Sequence, residues 1–244
     1  MTQIQFKEID QEGLETLQAI ALADQFNEWM YQTIKPFCKG RILEIGSGIG
    51  NISTFFIRDG AQIMLSDIRP TYCEFLSKHF ADKKNCEGVV PLDLVHPEFD
   101  QQFAGLLNSF DTVFALNVVE HIEDHDLAIR NALKLLRRGG NLVILVPAGQ
   151  WLYNRFDKEL GHYRRYTRKK LKAVMAPYTK LLHTQYFNLA GMPGWFISGK
   201  ILGKKTIPKG QMKLFNKLVP VFKFMDRLVA HKIGLSVIGI GQKN

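Results

Sequence analysis

Cysteine is scarce in this chain. The 244 residues include three, Cys38, Cys73 and Cys86, and neither a CxxC pair nor a zinc-like spacing connects them. That excludes a disulfide framework and a thiolate metal centre, and it fits a reducing compartment. Long apolar runs are missing too, since no uninterrupted stretch reaches the roughly 18 residues of a spanning helix. The opening MTQIQFKEIDQEGLE is acidic and lacks the apolar centre of a signal peptide, so we expect a cytoplasmic chain, with membrane association left open. Internal repeats and low-complexity tracts are absent. With 46% hydrophobic and 23% charged residues, the composition is that of a folded domain, and the length fits one α/β domain with insertions.

Acidic charge is missing from one half. Residues 1–150 hold 13 Lys/Arg against 20 Asp/Glu, whereas the remainder holds 19 against 3. Most of the excess lies in 151–172, at 8 against 2, and in 200–232, at 9 against 1. Either a negatively charged partner or substrate meets that side, or the basic face is simply solvated.

What is present is concentrated at residues 41–51, RILEIGSGIGN. An apolar run (Ile42, Leu43, Ile45) carries the acidic Glu44 and leads into Gly46, Ser47, Gly48 and Gly50, before Asn51 opens a helical pattern. Glycines at such a strand–turn–helix junction allow positive φ and let a ligand lie on the main chain, at the N–H groups of a helix start. A dinucleotide fingerprint would place its third glycine at position 51, which is Asn. The register is G-x-G-x-G. Downstream, an apolar strand over Ala61–Ser66 ends in Asp67, followed by Ile68. Asp67 lies 21 residues after Gly46, near the offset at which a carboxylate accepts both hydroxyls of a ribose.

Together with Glu44, this loop resembles the first motif of the class I S-adenosylmethionine-dependent methyltransferases, E/D-x-G-x-G-x-G. The resemblance continues without a break to Pro147. A third strand closes at Asp93, and a fourth, FDTVFAL, is followed by NVVEHI, similar to the "LEHI" segment of the type 11/12 small-molecule branch. A helix over 128–138 ending in Gly139 and Gly140 then leads to a fifth strand, NLVILV. Position 117 does not carry the NPPY or DPPY tetrapeptide of adenine-N6 and glutamine-N5 enzymes. No Pro-Cys pair offers the thiol that attacks cytosine C5.

The resemblance implies S-adenosylmethionine as cofactor and S-adenosylhomocysteine as product. It implies a doubly wound, seven-stranded Rossmann-like α/β sheet with an N-terminal helix and a helical cap inserted before the last strand. One domain spans 1–244, comprising an N-terminal helical segment (1–40), a cofactor-binding core (41–150), a substrate-side loop (151–172) and the cap (189–233). Asp93 and Leu94 are expected at the adenine, Asn117 and Val118 beneath the methionine half. The leading helix, predicted over 14–37, is expected against the cleft, which brings Tyr31 to the ligand.

The substrate side begins with WLYNRFDKELGHYRRYTRKKL, which includes a string similar to bacterial type 11 or 12 enzymes, F-D-x-x-L-G-H-Y-R-R-Y-T. Asp157, Tyr163, Arg164, Arg165 and Tyr166 are candidate acceptor contacts, the arginines for a carboxylate or phosphate. His162 is the first candidate base and His121 the second, because imidazole exchanges a proton near neutral pH. Alternatively, arginine pairs with Asp157 or Glu159 and only orders the loop. In the cap, Leu214, Phe215, Leu218, Val221, Phe222, Met225, Leu228 and Val229 share one half of a helical wheel, with Lys213, Lys217, Lys223, Asp226 and Arg227 on the other. Such a helix either caps the site or lies on an anionic membrane. Both readings favour an apolar acceptor. The expected reaction is methyl transfer to a hydroxyl, ahead of a carbon or an amine, of a small or lipid-like acceptor, which the basic residues allow to be anionic. An RNA methyltransferase and a non-catalytic cofactor-binding module are the alternatives, nucleic acid being the less favoured partner. No metal site is expected.

Overall fold

Alternate residues of the central strands are apolar on both sides, which is the pattern of a parallel sheet buried on both faces. The computed structural model describes residues 11–204 and 209–244. The first ten residues of the expected 1–40 segment, and 205–208 of the expected cap, lie outside the described residues.

The chain opens with helices α1 (Gln11–Ala21) and α2 (Asp24–Ile34), separated by a break at residues 22–23 where one longer helix was expected, and a 3-10 turn, Lys35–Phe37, holds Pro36. Then follow β1 (Ile42–Ile45), α3 (Ser53–Arg58), β2 (Ile63–Asp67), α4 (Pro70–His79), β3 (Cys86–Pro91) and α5 (Phe99–Gln102). The central part continues with β4 (Phe110–Leu116), α6 (His125–Leu135), β5 (Leu136–Pro147), α7 (Arg155–Glu159), α8 (Arg168–Met175) and β6 (Thr179–Phe187). The cap consists of α9 (Gly191–Trp195), a π-helical stretch Phe196–Ile201 and α10 (Lys209–Leu228), before β7 (Ser236–Lys243). The seven strands lie in the order β3-β2-β1-β4-β5-β7-β6, parallel except for β7, which runs antiparallel to both neighbours.

Two cores result. Val113, Ala115, Leu142 and Ile144 meet α5, α6 and α8 on one face; Phe114, Val143, Leu145 and Ile238 meet α2, α3, α4 and α10 on the other. One sequence expectation about helix ends needs correction. Gly139 and Gly140 do not stop a helix, because α6 ends at Leu135 and β5 has already begun. Its register against β4 shifts between Phe110 and Thr112, which absorbs residues 137–140. Pro220 does not interrupt α10, which runs through it.

The helical wheel of α10 also needs revision. Its buried side carries Met212, Val219 and Asp226, whereas Leu214, Leu218, Val221, Phe224 and Leu228 point outward. Asp226, expected on the solvated side, is fully buried because its carboxylate accepts the backbone N–H groups of Asn188 (2.7 Å) and Leu189 (2.8 Å) where β6 ends. Asn188 has positive φ, and its side chain accepts from the Gly191 amide to start α9. One carboxylate thus fastens α10 to the exit of β6. Replacing it with Ala leaves two buried amides without an acceptor, so Asp226→Ala is expected to lower unfolding free energy by about 2–4 kcal/mol. Urea denaturation checks this, and a midpoint equal to wild type would refute the clamp.

Candidate active site

Parallel strands end on one edge of the sheet, where ligands of open α/β folds bind. Here β1, β2 and β3 are adjacent, so the carboxylates of Glu44 and Asp67, and Asp93 just past β3, come to one edge with Asn117 beyond β4. A cavity of about 760 Å³ opens above that edge, a size suited to a cofactor with a small acceptor.

The glycine loop forms its floor. Gly46 and Gly48 adopt φ of 72° and 56°, and a Cβ on Gly46 would stand 2.4 Å from Val118 Cγ2. Only glycine fits there. The Gly48 amide and the Arg69 amide donate to the two oxygens of Asp67, both at 2.9 Å, which holds the carboxylate rigid while each oxygen retains a lone pair. Asn51 donates to the Leu17 carbonyl (3.1 Å), tying α1 across the loop.

Of the residues expected at the cofactor, Glu44, Gly46, Ser47, Gly48, Asn51, Asp67, Ile68, Asp93, Leu94, Asn117 and Val118 line the cavity. Gly50 lies outside the lining; its positive φ continues the turn, and a Cβ there would meet Phe80 at 2.8 Å. Asp93 also accepts from the Val95 amide (2.9 Å) and so turns its own loop. Glu44 receives the Ser53 hydroxyl. Burial pushes it up to about 7, and the Ser53 and Ser47 hydroxyls only partly oppose that rise.

The substrate-side loop is arranged differently from expectation. Asp157 is fully buried and does not line the cavity; it accepts from Arg165 Nε (2.7 Å), His162 Nδ1 (2.8 Å) and the Asn154 amide (3.0 Å). Burial alone would raise its pKa, but the hydrogen bonds from His162 and Arg165, with the charge of Arg165, bring it below the usual value. Arg165 reaches the cavity wall, yet its guanidinium is held by Asp157 and by the Ala148 carbonyl (3.0 Å). Arg164 turns away and donates to the carbonyls of Ile122 and Glu123. Tyr166 is buried behind, its hydroxyl against His125 Nδ1 (2.7 Å), and Tyr31 is buried against Phe55 and Phe56 with its hydroxyl on Asp59 (2.6 Å). Tyr31, Arg164 and Tyr166 therefore do not face a ligand in the cavity. Tyr163 does line it.

His162 and His121 both line the cavity, their rings 4.6 Å apart and nearly perpendicular. Burial, and then the proximity of His162, lowers His121 to about 3, so its imidazole stays neutral. Beside them stands Glu120, which the sequence placed in a motif but gave no role. It is fully buried, and neither carboxylate oxygen has a hydrogen-bond partner among the described residues, apart from a weak approach of its own amide. Burial pushes it up to about 8. The acid in NVVEH was visible in the sequence, whereas its isolation follows from the tertiary packing. Phe26, Met30, Phe156, Trp195, Met212 and Phe215 form the apolar outer wall.

A glycine loop at the strand ends, a carboxylate held by two amides, and a sheet with one antiparallel strand next to the edge make up the Rossmann-like methyltransferase fold. Residues 43–142 match the family described as "Methyltransferase domain". That match takes in the glycine loop, Asp67, Asp93 and the NVVEHI segment, about two fifths of the chain.

Among relatives, it is 25% identical over 164 residues to a ubiquinone biosynthesis O-methyltransferase of Xanthomonas euvesicatoria pv. vesicatoria, covering 62% of this chain and 65% of that protein. The protein of the same description from Xanthomonas oryzae pv. oryzae is 30% identical over 104 residues, 43% of this chain and 41% of that one. The chain thus spans less than two thirds of either relative's length. Among solved structures, a SAM-dependent methyltransferase from Archaeoglobus fulgidus superposes with a TM-score of 0.57 at 16% identity over 89% of this chain and 94% of that one. Phosphoethanolamine N-methyltransferase 2 of Haemonchus contortus, in complex with S-adenosyl-L-methionine, gives 0.57 at 17% identity over 89% and 52%.

The raised pKa of Glu44 carries a pH signature. Between its ordinary 4.5 and about 7, the folded protein keeps a proton that the unfolded chain has lost. That contribution is complete below the unfolded pKa and disappears as pH rises through the folded one. Cofactor-free wild type is therefore expected to lose melting temperature relative to Glu44→Gln between about pH 5 and pH 8. Parallel melting curves across that range would show that Glu44 does not titrate there.

Proposed function

We propose that the protein transfers a methyl group from S-adenosylmethionine to a hydroxyl of a small or lipid-like acceptor. The observation that carries this reading is the division of the cavity, with a polar floor built for the cofactor and an apolar outer wall from α2, α7 and the cap. The relatives' description as O-methyltransferases favours oxygen over nitrogen or carbon as the methylated atom.

The reaction is an in-line displacement. The acceptor oxygen bonds to the sulfonium methyl, the C–S bond breaks with its electrons going to sulfur, and neutral S-adenosylhomocysteine departs. Rate comes chiefly from alignment and exclusion of water. The hydroxyl must also lose its proton, and this falls to the cluster of His121, His162 and Glu120, in which Asp157 fixes the His162 ring with one nitrogen facing the cavity.

Membrane contact belongs to the same reading. No described helix is long and apolar enough to cross a bilayer, but α10 turns Leu214 (62% exposed), Leu218, Val221 and Leu228 (69%) outward on one stripe, with Lys213 and Lys217 exposed beside it. Ile197, Ile201, Leu202 and Trp151 add exposed apolar surface, and a hydrogen bond from Ser198 to Gln211 joins the two cap segments. An apolar stripe bordered by lysines suits the interface of an anionic bilayer.

Turnover with polyprenylated phenols, followed by transfer of a labelled methyl group, tests the function. His162→Ala should reduce the rate by roughly 100-fold or more with S-adenosylhomocysteine affinity unchanged; an undiminished rate would remove His162 from the chemistry. Cosedimentation with phosphatidylglycerol-containing vesicles tests the surface. Leu214→Asp with Val221→Asp should abolish binding, and wild-type retention in that variant would refute contact through α10.

A further inference from the structure

Glu120, His121 and His162 each offer a ligand atom, and these three atoms lie within 4.8 Å of one another at the cavity wall. Glu120 and His121 stand on the 3-10 turn after β4, and His162 on the loop after α7. The Tyr163 amide donates to the Glu120 carbonyl (2.9 Å), which ties the two segments, while the His162 amide donates to the Asp157 carbonyl (2.8 Å) and closes the turn after α7.

The neighbouring side chains orient this cluster. Asp157 and Arg165 are paired, which keeps the carboxylate ionised and an acceptor. The His162 nitrogen facing it is Nδ1, which donates to it, so Nε2 is turned toward Glu120 Oε1, 4.0 Å away. The His121 ring stands edge-on to His162, centroids 4.6 Å apart, and its burial keeps the imidazole neutral. Glu120 contributes two oxygens that no donor among the described residues satisfies. A buried carboxyl without a hydrogen-bond donor among the described residues thus faces two imidazoles within 4.8 Å, and a cation there would displace the proton that burial favours on it. A proton shared between His162 and Glu120 does not resolve this, because 4.0 Å is too long for a hydrogen bond. A cation does, and a carboxylate behind an imidazole is the arrangement that commonly orients metal-bound histidine.

We propose that Glu120, His121 and His162 bind a divalent transition-metal ion, with Asp157 as the positioning residue behind His162. Two imidazoles and one carboxylate suit zinc, manganese, iron(II) or cobalt rather than magnesium or calcium, which prefer all-oxygen sites. The site rests on the function proposed above and deepens it: with the His162 and Glu120 lone pairs occupied as ligands, an ion at the cavity wall would draw the acceptor hydroxyl and lower its pKa, and the proton would leave to water rather than to the imidazole.

The test uses tag-free protein stripped with chelator, titrated with zinc in the calorimeter and with cobalt by visible spectroscopy. One ion per chain at micromolar affinity or better is expected. Glu120→Gln, His121→Ala and His162→Ala are each expected to weaken binding at least tenfold, so no single unstable variant decides the matter. His183→Ala, on an exposed strand residue, is expected to leave binding unchanged. Each sample is also titrated with S-adenosylhomocysteine. A stripped protein that binds S-adenosylhomocysteine but no metal overturns the proposal, as does ion binding that all three ligand variants retain or that His183→Ala abolishes. Methyl transfer that persists in chelator refutes a role for the ion while leaving the methyltransferase reading intact. Metal binding without any binding of S-adenosylhomocysteine would have the opposite meaning.

Discussion

The buried carboxylate of Asp157 organises the substrate side of the molecule. It takes hydrogen bonds from Arg165, His162, the Asn154 amide and, at 3.4 Å, the Trp195 indole. These donors belong to the loop after α7, the start of α7 and the cap. A charge excluded from water in this way is costly unless its lone pairs are satisfied. The surrounding chain is therefore constrained to bring donors to it, and in doing so it fixes the ring of His162, ties down Arg165 and sets the cap against α7. Asn154 extends the constraint, because its side chain packs where Gly199 of the π-helical stretch leaves room for no Cβ.

This constraint explains why two basic residues that suggested an anion grip do not form one. Arg165 meets Asp157 because an isolated guanidinium at that depth would lack a counter-charge, and Arg164 is occupied by carbonyls that end the turn after Glu120. The positive charge of the 151–172 segment is partly internal to the fold. Charge counts along a sequence do not distinguish a guanidinium that neutralises a buried carboxylate from one that waits for a ligand.

The cofactor half was legible for a related reason. Glycines forced by positive φ, an acid at each strand end and apolar runs between them are local features, and a parallel sheet brings their ends to one edge whatever the details of the helices. Thus Glu44, Gly46, Asp67, Asp93 and Asn117 converge on the cavity. The substrate half depends on contacts remote in sequence, such as Tyr166 against His125 and Asp226 beneath Asn188. Periodicity assigned Asp226 to solvent because a helical wheel records only angle. The orphaned state of Glu120 was illegible for the same reason, since the absence of a partner becomes evident only once every neighbour has been placed.

The cap helix joins these two halves into one chemical argument. Along α10, Met212 and Phe215 face the cavity, Val219 packs in the core, and Asp226 anchors the far end, while a separate apolar stripe faces outward. A helix that only covered a site would need one apolar face, and the opposite one would carry polar residues. This helix has apolar surface on both sides of its wall, close to where the cavity opens. An acceptor with a polar head and a long apolar tail would find matching surface at each point: the Glu120–His121–His162 cluster and the glycine-loop floor for the head, the aromatic wall for the first part of the tail, and the outer stripe or a bilayer for the remainder. A small, fully polar acceptor would use none of the last two. The distribution of apolar surface along α10 therefore favours a lipid-like substrate over a soluble one, on grounds independent of the relatives' descriptions.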